Sequence, residues 1–264
     1  MKIFKKLFLL FILSFFIFIF YCFYTSKKMY YIGEKNLHLP IYTYHQIVEN
    51  ADEIEIDYMQ TTYKNFQKQI NGLLKIGYTP ITYKDLIDFK NGSKTIVGRS
   101  CIITFDDGYK SVFKYVYPFI KEKKIPITLF IVNNLVGSDG YMTWDELNEM
   151  YESGLVSIYS HGLNHLEYDK FGSDILLKET EESYKDIKNN LDDEKILKIF
   201  AYPCGYCTDD EIEILAENGY VQNLMDGKIN ESNSLDLNRL HRVYPLNDSI
   251  FKILIKQIYK TIKY

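Results

Sequence analysis

The chain has 264 residues, of which 47% are hydrophobic, and a formal net charge of −4 at pH 7. That length and apolar content are enough for one large domain with its own core. The negative charge, with lysines scattered beyond the N-terminus, excludes the basic surface of a nucleic-acid-binding protein. We therefore expect one globular domain and no nucleic-acid partner.

The N-terminus predicts a membrane helix. An uncharged run rich in Phe, Leu and Ile extends over 7–24, and three lysines precede it. The run is close to the roughly 20 residues that cross a bilayer as a helix, and the lysines favour a cytoplasmic N-terminus. No small-residue cleavage site follows it. The predicted division is a cytoplasmic segment 1–6, an uncleaved signal anchor 7–24, a linker 25–38 and an extracellular domain 39–264. The expected localisation is a single-pass cell-membrane protein.

After the linker, short apolar runs alternate with amphipathic helical patterns. The first predicted strand begins at Ile41. The later predicted strands are 78–82, 101–104, 127–132, 156–159, 199–202, 220–224 and 240–243. The predicted helices are 63–77, a small helix that carries Leu86 and Phe89, and then 111–123, 143–154, 173–191, 209–218 and 250–259. Such alternation is typical of a parallel sheet with crossover helices. About seven strand–helix units favour a barrel over an open sheet.

Two adjacent carboxylates follow the strand 101–104, in the segment TFDDGY. Gly108 ends that strand directly after Asp106 and Asp107. Burying two aspartates costs several kcal/mol unless a positive charge lies beside them. A cation could neutralise one carboxylate and leave the other free to move protons. A surface Asp-Asp-Gly turn is the alternative interpretation.

Other polar residues follow predicted strands and are expected at the same end of a barrel. His45, His161 and Tyr202 each follow or end a strand, and His165 lies four residues beyond His161. The carboxyl ends of parallel strands meet at one face of a barrel. One carboxylate and two imidazoles are a ligand set suited to a divalent metal with open positions. Solvated loop histidines are the alternative interpretation.

Three segments in this order, TFDDGY, SHGLNH and FAYPCG, resemble the first three motifs of the polysaccharide deacetylases. These enzymes form carbohydrate esterase family four and share the NodB homology domain. PIYTYH is similar to the first-strand motif of the exported poly-N-acetylglucosamine deacetylases, and the resemblance covers about Leu39 to Val243. It implies a distorted (β/α)7 barrel that uses a divalent metal to remove acetyl groups from sugars. The expected fold class is therefore α/β, a distorted TIM-like (β/α)7 barrel preceded by a transmembrane helix.

The resemblance also implies a metal site and a base. Asp107, His161 and His165 would hold the metal, with Zn²⁺ favoured, and Asp106 would be the general base. The base takes the proton of a water that attacks the acetyl carbonyl. The oxyanion of the intermediate would lie near the backbone of Tyr202, Pro203 and Cys204.

A general acid and an arginine complete the expected site by resemblance. His45 is the expected acid, with His241 as its rival and a buried, backbone-bonded histidine as the alternative for His45. Arg242 resembles the arginine that pairs with the base, and Arg239 is the other candidate. In this family an arginine often precedes the proline of the third motif, whereas this chain has Lys198 and apolar residues there.

The function implied by the resemblance is metal-dependent hydrolysis of N-acetyl groups on an extracellular N-acetylglucosamine polymer. Poly-N-acetylglucosamine is favoured and peptidoglycan comes next. One alternative is a thiol–disulfide oxidoreductase, because Cys204 and Cys207 follow a strand and precede a helix, a setting that lowers a thiol pKa. A local disulfide or two free thiols would also explain this pair. The other alternative is an inactive, carbohydrate-binding relative.

Overall fold

The computed structural model of the protein describes residues 38–263 apart from 57, 97 and 232, and also residues 14 and 17. The strands are β1 His38–Leu39, β2 Ile41–Tyr44, β3 Gln46–Val48, β4 Gln60–Thr62, β5 Tyr78–Pro80, β6 Arg99–Asp107, β7 Ile127–Ile131, β8 Val156–Ser160, β9 Ile199–Ala201, β10 Val221–Leu224, β11 Asn230–Glu231 and β12 Leu240–His241. The α-helices are α1 Tyr63–Lys75, α2 Tyr83–Lys90, α3 Tyr117–Lys123, α4 Trp144–Glu152, α5 Ser173–Leu191, α6 Asp209–Glu217 and α7 Ile250–Lys263.

The central sheet runs in the order β12-β10-β9-β8-β7-β6-β2, and every pairing in it is parallel. Its two outer strands meet through Val243, just beyond β12. The N–H of Thr43 donates to the carbonyl of Val243, and the N–H of Val243 donates to the carbonyl of Ile41, both at 2.9 Å. The predicted α/β class is therefore confirmed as a nearly closed parallel barrel, which is consistent with a (β/α)7 barrel.

Burial explains why the strands read as continuous apolar runs and the helices as amphipathic patterns. In β6, every residue from Ser100 to Asp107 is buried, since strands of a barrel face both its interior and the helices outside. Helix α1 buries Phe66, Ile70 and Leu73, which share one face at helical spacing. Thr143 and Glu146 form a capping box at the start of α4.

The predicted helix 111–123 forms in two parts. Val112–Val116 is a π-helix and Tyr117–Lys123 is α-helical. Pro118 lies in the first turn of α3 and has no N–H to donate to an upstream carbonyl. The change of helix type falls immediately before this proline, where the regular hydrogen-bond pattern is interrupted.

The predicted membrane localisation is contradicted. Among the described residues, no helix combines the length and apolar character that crossing a membrane requires. The prediction of a single-pass membrane protein is corrected on this finding. The predicted anchor 7–24 lies outside the described residues except for Ser14 and Ile17, and so do 1–6 and most of the linker.

Candidate active site

The carboxyl ends of four barrel strands bring the predicted polar residues together. Asp106 and Asp107 are the last residues of β6, His45 follows β2, His161 follows β8 and Arg242 follows β12. All five side chains are buried. Because neighbouring parallel strands end at the same face, residues far apart in sequence become neighbours here.

Asp107, His161 and His165 form a group that could hold a metal ion. Their candidate ligand atoms all lie within 4.8 Å of one another. Asp107 Oδ1 is 3.6 Å from His161 Nε2 and 3.5 Å from His165 Nε2. This oxygen is buried and accepts no hydrogen bond from the described part of the chain. A buried carboxylate oxygen between two imidazoles suits a divalent cation.

The neighbouring strand β9 orients His161 for this purpose. His161 Nδ1 lies 2.7 Å from the carbonyl oxygen of Ala201, an acceptor, so the ring proton belongs on Nδ1. The lone pair of Nε2 then points toward Asp107. Metal-binding histidines usually donate their second ring N–H in this way, which fixes the tautomer.

Arg242 controls the charge of Asp106. Arg242 Nη1 donates to Asp106 Oδ1 at 2.7 Å, and its guanidinium lies 5.3 Å from the ring centre of Phe130. Burial alone would raise the pKa of Asp106, but the charges of Arg242, His161 and His45 bring it below its usual value. Burial raises the pKa of Asp107 to about 6. Asp106 is therefore the carboxylate that stays ionised most readily.

His45 lies beside Asp106 and packs against a residue that sequence reasoning missed. His45 Nε2 is 3.9 Å from Asp106 Oδ2. Its ring stacks on Tyr244, with centroids 5.6 Å apart and planes 28° apart. Burial lowers the pKa of His45, and the charges of Asp106 and Asp107 oppose this effect. Tyr244 lies two residues after Arg242, so strand alternation was the signal that could have placed it on the same face.

The two rival residues contact carboxylates other than Asp106. His241 Nδ1 lies 2.8 Å from Asp226 Oδ2, and Arg239 Nη2 lies 2.7 Å from Asp209 Oδ1. Arg242, rather than Arg239, contacts Asp106. Of the two histidines considered for the acid, His45 lies next to Asp106.

The third motif forms a tight turn after β9. Tyr202 is buried and its hydroxyl donates to Gln222 Oε1 at 2.6 Å. Pro203–Gly205 is a single 3₁₀ turn in which Cys204 has a left-handed φ of 56°. A Cβ added to Gly205 would overlap Met225. The turn can approach Met225 this closely because glycine has no Cβ.

Three residues in or beside the site share this left-handed conformation without being glycine. The φ angle is 70° at Asp107, 55° at His165 and 56° at Cys204. Non-glycine residues adopt this region infrequently, and such strain tends to occur at functional sites.

The two cysteines of this turn do not resemble a redox pair. Cys204 and Cys207 are free thiols. Burial, and then the charges of Glu167 and Asp107, raise the pKa of Cys204, and burial raises that of Cys207 to about 12. A disulfide oxidoreductase needs a lowered thiol pKa instead. The oxidoreductase alternative is therefore not favoured.

Solved structures share this barrel. The Streptococcus pyogenes deacetylase PplD in complex with acetate superposes with a TM-score of 0.76 at 22% identity, over 84% of this chain and 99% of that one. IcaB from Ammonifex degensii gives a TM-score of 0.71 at 23% identity, over 84% of this chain and 97% of that one. The fold is thus that of the polysaccharide-deacetylase barrel.

Sequence comparison places the chain in a family. The polysaccharide deacetylase family model matches residues 94–222. The poly-beta-1,6-N-acetyl-D-glucosamine N-deacetylase of Staphylococcus epidermidis is 30% identical over 215 residues, covering 77% of this chain and 73% of that protein. The chain belongs to the polysaccharide deacetylase family, as the motifs predicted. The predicted enzyme class, a hydrolase of carbon–nitrogen bonds other than peptide bonds, is confirmed.

Proposed function

We propose that this protein removes N-acetyl groups from an N-acetylglucosamine polysaccharide, with poly-β-1,6-N-acetylglucosamine favoured over peptidoglycan. The observation that carries the proposal is the buried cluster of Asp106, Asp107, His161 and Arg242 at the ends of the barrel strands. The substrate named for the Staphylococcus epidermidis relative supports the choice of polymer.

We propose Zn²⁺ as the metal, held by Asp107, His161 and His165. Deacetylases of this family are generally metal-dependent, and one carboxylate with two imidazoles is a common catalytic zinc set. The unpaired Asp107 Oδ1 and the tautomer of His161 both suit this role. When bound, such an ion acidifies water and polarises a carbonyl.

The protein's own residues would carry the proton transfers. Asp106, kept ionised by Arg242, accepts a proton from the water that attacks the acetyl carbon. His45, in its protonated form, gives a proton to the sugar nitrogen as the carbon–nitrogen bond breaks, and the proton taken up by Asp106 returns to His45 after acetate leaves. Hydrolysis of one N-acetyl group consumes one water and gives one acetate and one free amine.

The turn after β9 supplies one candidate donor for the oxyanion. The N–H of Tyr202 already donates to the carbonyl of Asn223 at 3.1 Å, and Pro203 has no N–H. Of the three residues predicted for this role, Cys204 is left to donate its N–H.

Acetate release from β-1,6-linked N-acetylglucosamine oligomers tests this function. We expect release by the zinc-loaded chain, loss of release after chelation, and a fall of at least about 100-fold for Asp106→Asn. Asp210→Asn, an exposed aspartate on α6, is the matched control and should keep wild-type activity. Peptidoglycan fragments run in parallel decide between the two polymers. No release from any acetylated glycan by a zinc-loaded chain would refute the proposal.

A further inference from the structure

The two histidines of the candidate metal site are held in different ways. His161 directly follows β8, its N–H donates to the carbonyl of Ile131, and its ring bonds to Ala201. His165 lies four residues further on, outside any strand, and is partly exposed with a left-handed φ. The position of His165 therefore depends on what holds the loop around it.

A buried carboxylate from α5 holds that loop on both sides of His165. Glu179 Oε1 accepts from Asn164 Nδ2 at 2.7 Å, and Glu179 Oε2 accepts from the N–H of Asn164 at 3.3 Å. Glu179 Oε2 also accepts from the hydroxyl of Tyr168 at 3.0 Å. One carboxylate thus ties the residue before His165 to a residue three positions after it.

The neighbours of these contacts restrict the loop further. Asn164 Oδ1 accepts from Asn134 Nδ2 at 2.7 Å, so both ends of the Asn164 amide are engaged. Tyr168 packs so closely on Gly162 that an added Cβ there would overlap its hydroxyl. Glu179 itself is 9% exposed, and no lysine or arginine in the described chain forms an ion pair with it. The hydrogen bonds that Glu179 accepts in the described chain come from this loop. A change in the loop's geometry would leave the buried carboxylate without hydrogen-bond partners, which is costly.

We propose that Glu179 is a positioning residue of the metal site, which holds the loop so that His165 completes the set with Asp107 and His161. This inference rests on the function proposed above, in which those three residues bind a divalent cation. Mutation of a residue that hydrogen-bonds to a metal ligand and orients it commonly lowers metal affinity about 10–100-fold.

Zinc affinity of the purified full-length chain, measured by competition with a chromophoric chelator, tests the inference. Glu179→Gln keeps the size of the side chain but turns one acceptor into a donor that faces Asn164 or Tyr168. We expect it to weaken zinc binding about 10–100-fold, and Tyr168→Phe, which removes one donor, to weaken it less. Glu181→Gln is the matched control, since Glu181 lies on the same helix and pairs with Lys198 at 2.6 Å.

Two further readouts separate positioning from general destabilisation. Urea unfolding of the metal-free variants shows whether each is folded, and Tyr168→Phe keeps the test decisive if Glu179→Gln does not fold. Zinc raised above the weakened dissociation constant should restore acetate release by Glu179→Gln.

The outcomes are distinct. Wild-type zinc affinity in both folded variants overturns the inference and leaves the proposed metal site standing. An equal loss of affinity in Glu181→Gln also overturns it, because the effect would belong to the helix and not to the loop. A wild-type chain that binds no zinc overturns the metal site and this inference together.

Discussion

Asp106 and Asp107 are adjacent in sequence but differ in their charged neighbours. Both lie beside imidazoles, since Asp106 Oδ2 is 3.9 Å from His45 Nε2 and 3.8 Å from His161 Nε2. Asp106 also accepts a hydrogen bond from the guanidinium of Arg242. Adjacent strand residues normally point to opposite faces. The left-handed φ of Asp107 departs from strand geometry at the point where both carboxylates serve one site. A pair of titratable groups with separated pKa values is a common arrangement for dividing two chemical roles.

Removing the cation beside Asp106 should destabilise the protein strongly. Arg242→Met leaves Asp106 buried and unpaired, and we expect the free energy of unfolding in urea to fall by about 3–5 kcal/mol. Arg239→Met is the control, since its partner Asp209 is exposed, and it should cost less than about 1 kcal/mol. Equal losses in the two variants would contradict a special role for the buried pair.

The ring of Tyr244 should matter more than its hydroxyl. Within the described chain His45 Nδ1 has no hydrogen-bond partner, so stacking on Tyr244 is a principal constraint on the imidazole. We expect Tyr244→Phe to keep kcat for acetate release close to wild type, and Tyr244→Leu to lower kcat about fivefold, which corresponds to about 1 kcal/mol for an aromatic pair. Equal kcat values for the two variants would show that stacking does not orient His45.

At the residue scale, the sequence identified residues that belong to motifs. Asp106 and His161 were predicted from their places after recognisable strands, and Arg242 from the family resemblance with Arg239 as the other candidate. The structure brings Asp106, His161 and Arg242 together. Tyr244 and Glu179 were not predicted, since stacking and loop anchoring depend on distances between elements. The catalytic roles of all these residues stay predictions.

Among the elements, the turn Pro203–Gly205 contains the proposed oxyanion donor, the backbone N–H of Cys204. Gly205→Ala should destabilise the protein more than Gly219→Ala, although both glycines have a φ near 80°. Only strain acts at Gly219, which has open space, and it costs about 1–2 kcal/mol. At Gly205 the new methyl also meets Met225, which adds roughly 1–3 kcal/mol.

Urea unfolding measures both variants, and acetate release gives a second comparison. We expect Gly205→Ala to lose activity, because moving the turn moves the N–H of Cys204, whereas Gly219→Ala should keep its activity. Equal losses of stability would show that the contact with Met225 does not constrain the turn.

The boundaries of three helices were predicted closely. Helix α5 occupies its predicted bounds without a side-chain cap at its N-terminus, and α4 and α6 each follow a threonine that forms a capping box. The short strands β1, β3, β4 and β11 were missed, because two or three residues are too few to show a hydrophobic period. They are stabilised by pairing with distant or neighbouring segments instead.

For the whole molecule, zinc should act as a stabilising ligand. Zinc at 100 times its dissociation constant should add about 2.7 kcal/mol, which corresponds to a rise in Tm of about 5–10 °C for a domain of this size. A chelator should reverse the rise, Asp107→Asn should abolish it and Asp210→Asn should retain it. Thermal unfolding followed by circular dichroism measures the shift, and an unchanged shift in Asp107→Asn would exclude that residue as a ligand.

The alternation of strands and helices was sufficient to predict a parallel barrel, but it could not show how the barrel closes. Closure depends on the single residue Val243 beyond β12, which has no periodic signal of its own. Membrane localisation was predicted from the length of one uncharged run and the lysines before it, and the described helices contradict it.

The hydrogen bonds of Val243 with Thr43 and Ile41 also have a consequence for biosynthesis. The ribosome releases the first barrel strand long before Val243, and contacts between segments so distant in sequence form slowly. Until the last strand docks, the barrel is open and Asp106 lacks the guanidinium of the adjacent Arg242. A chain that ends before Arg242 therefore lacks both the hydrogen bonds of Val243 and the charge partner of Asp106, and we expect it to release no acetate.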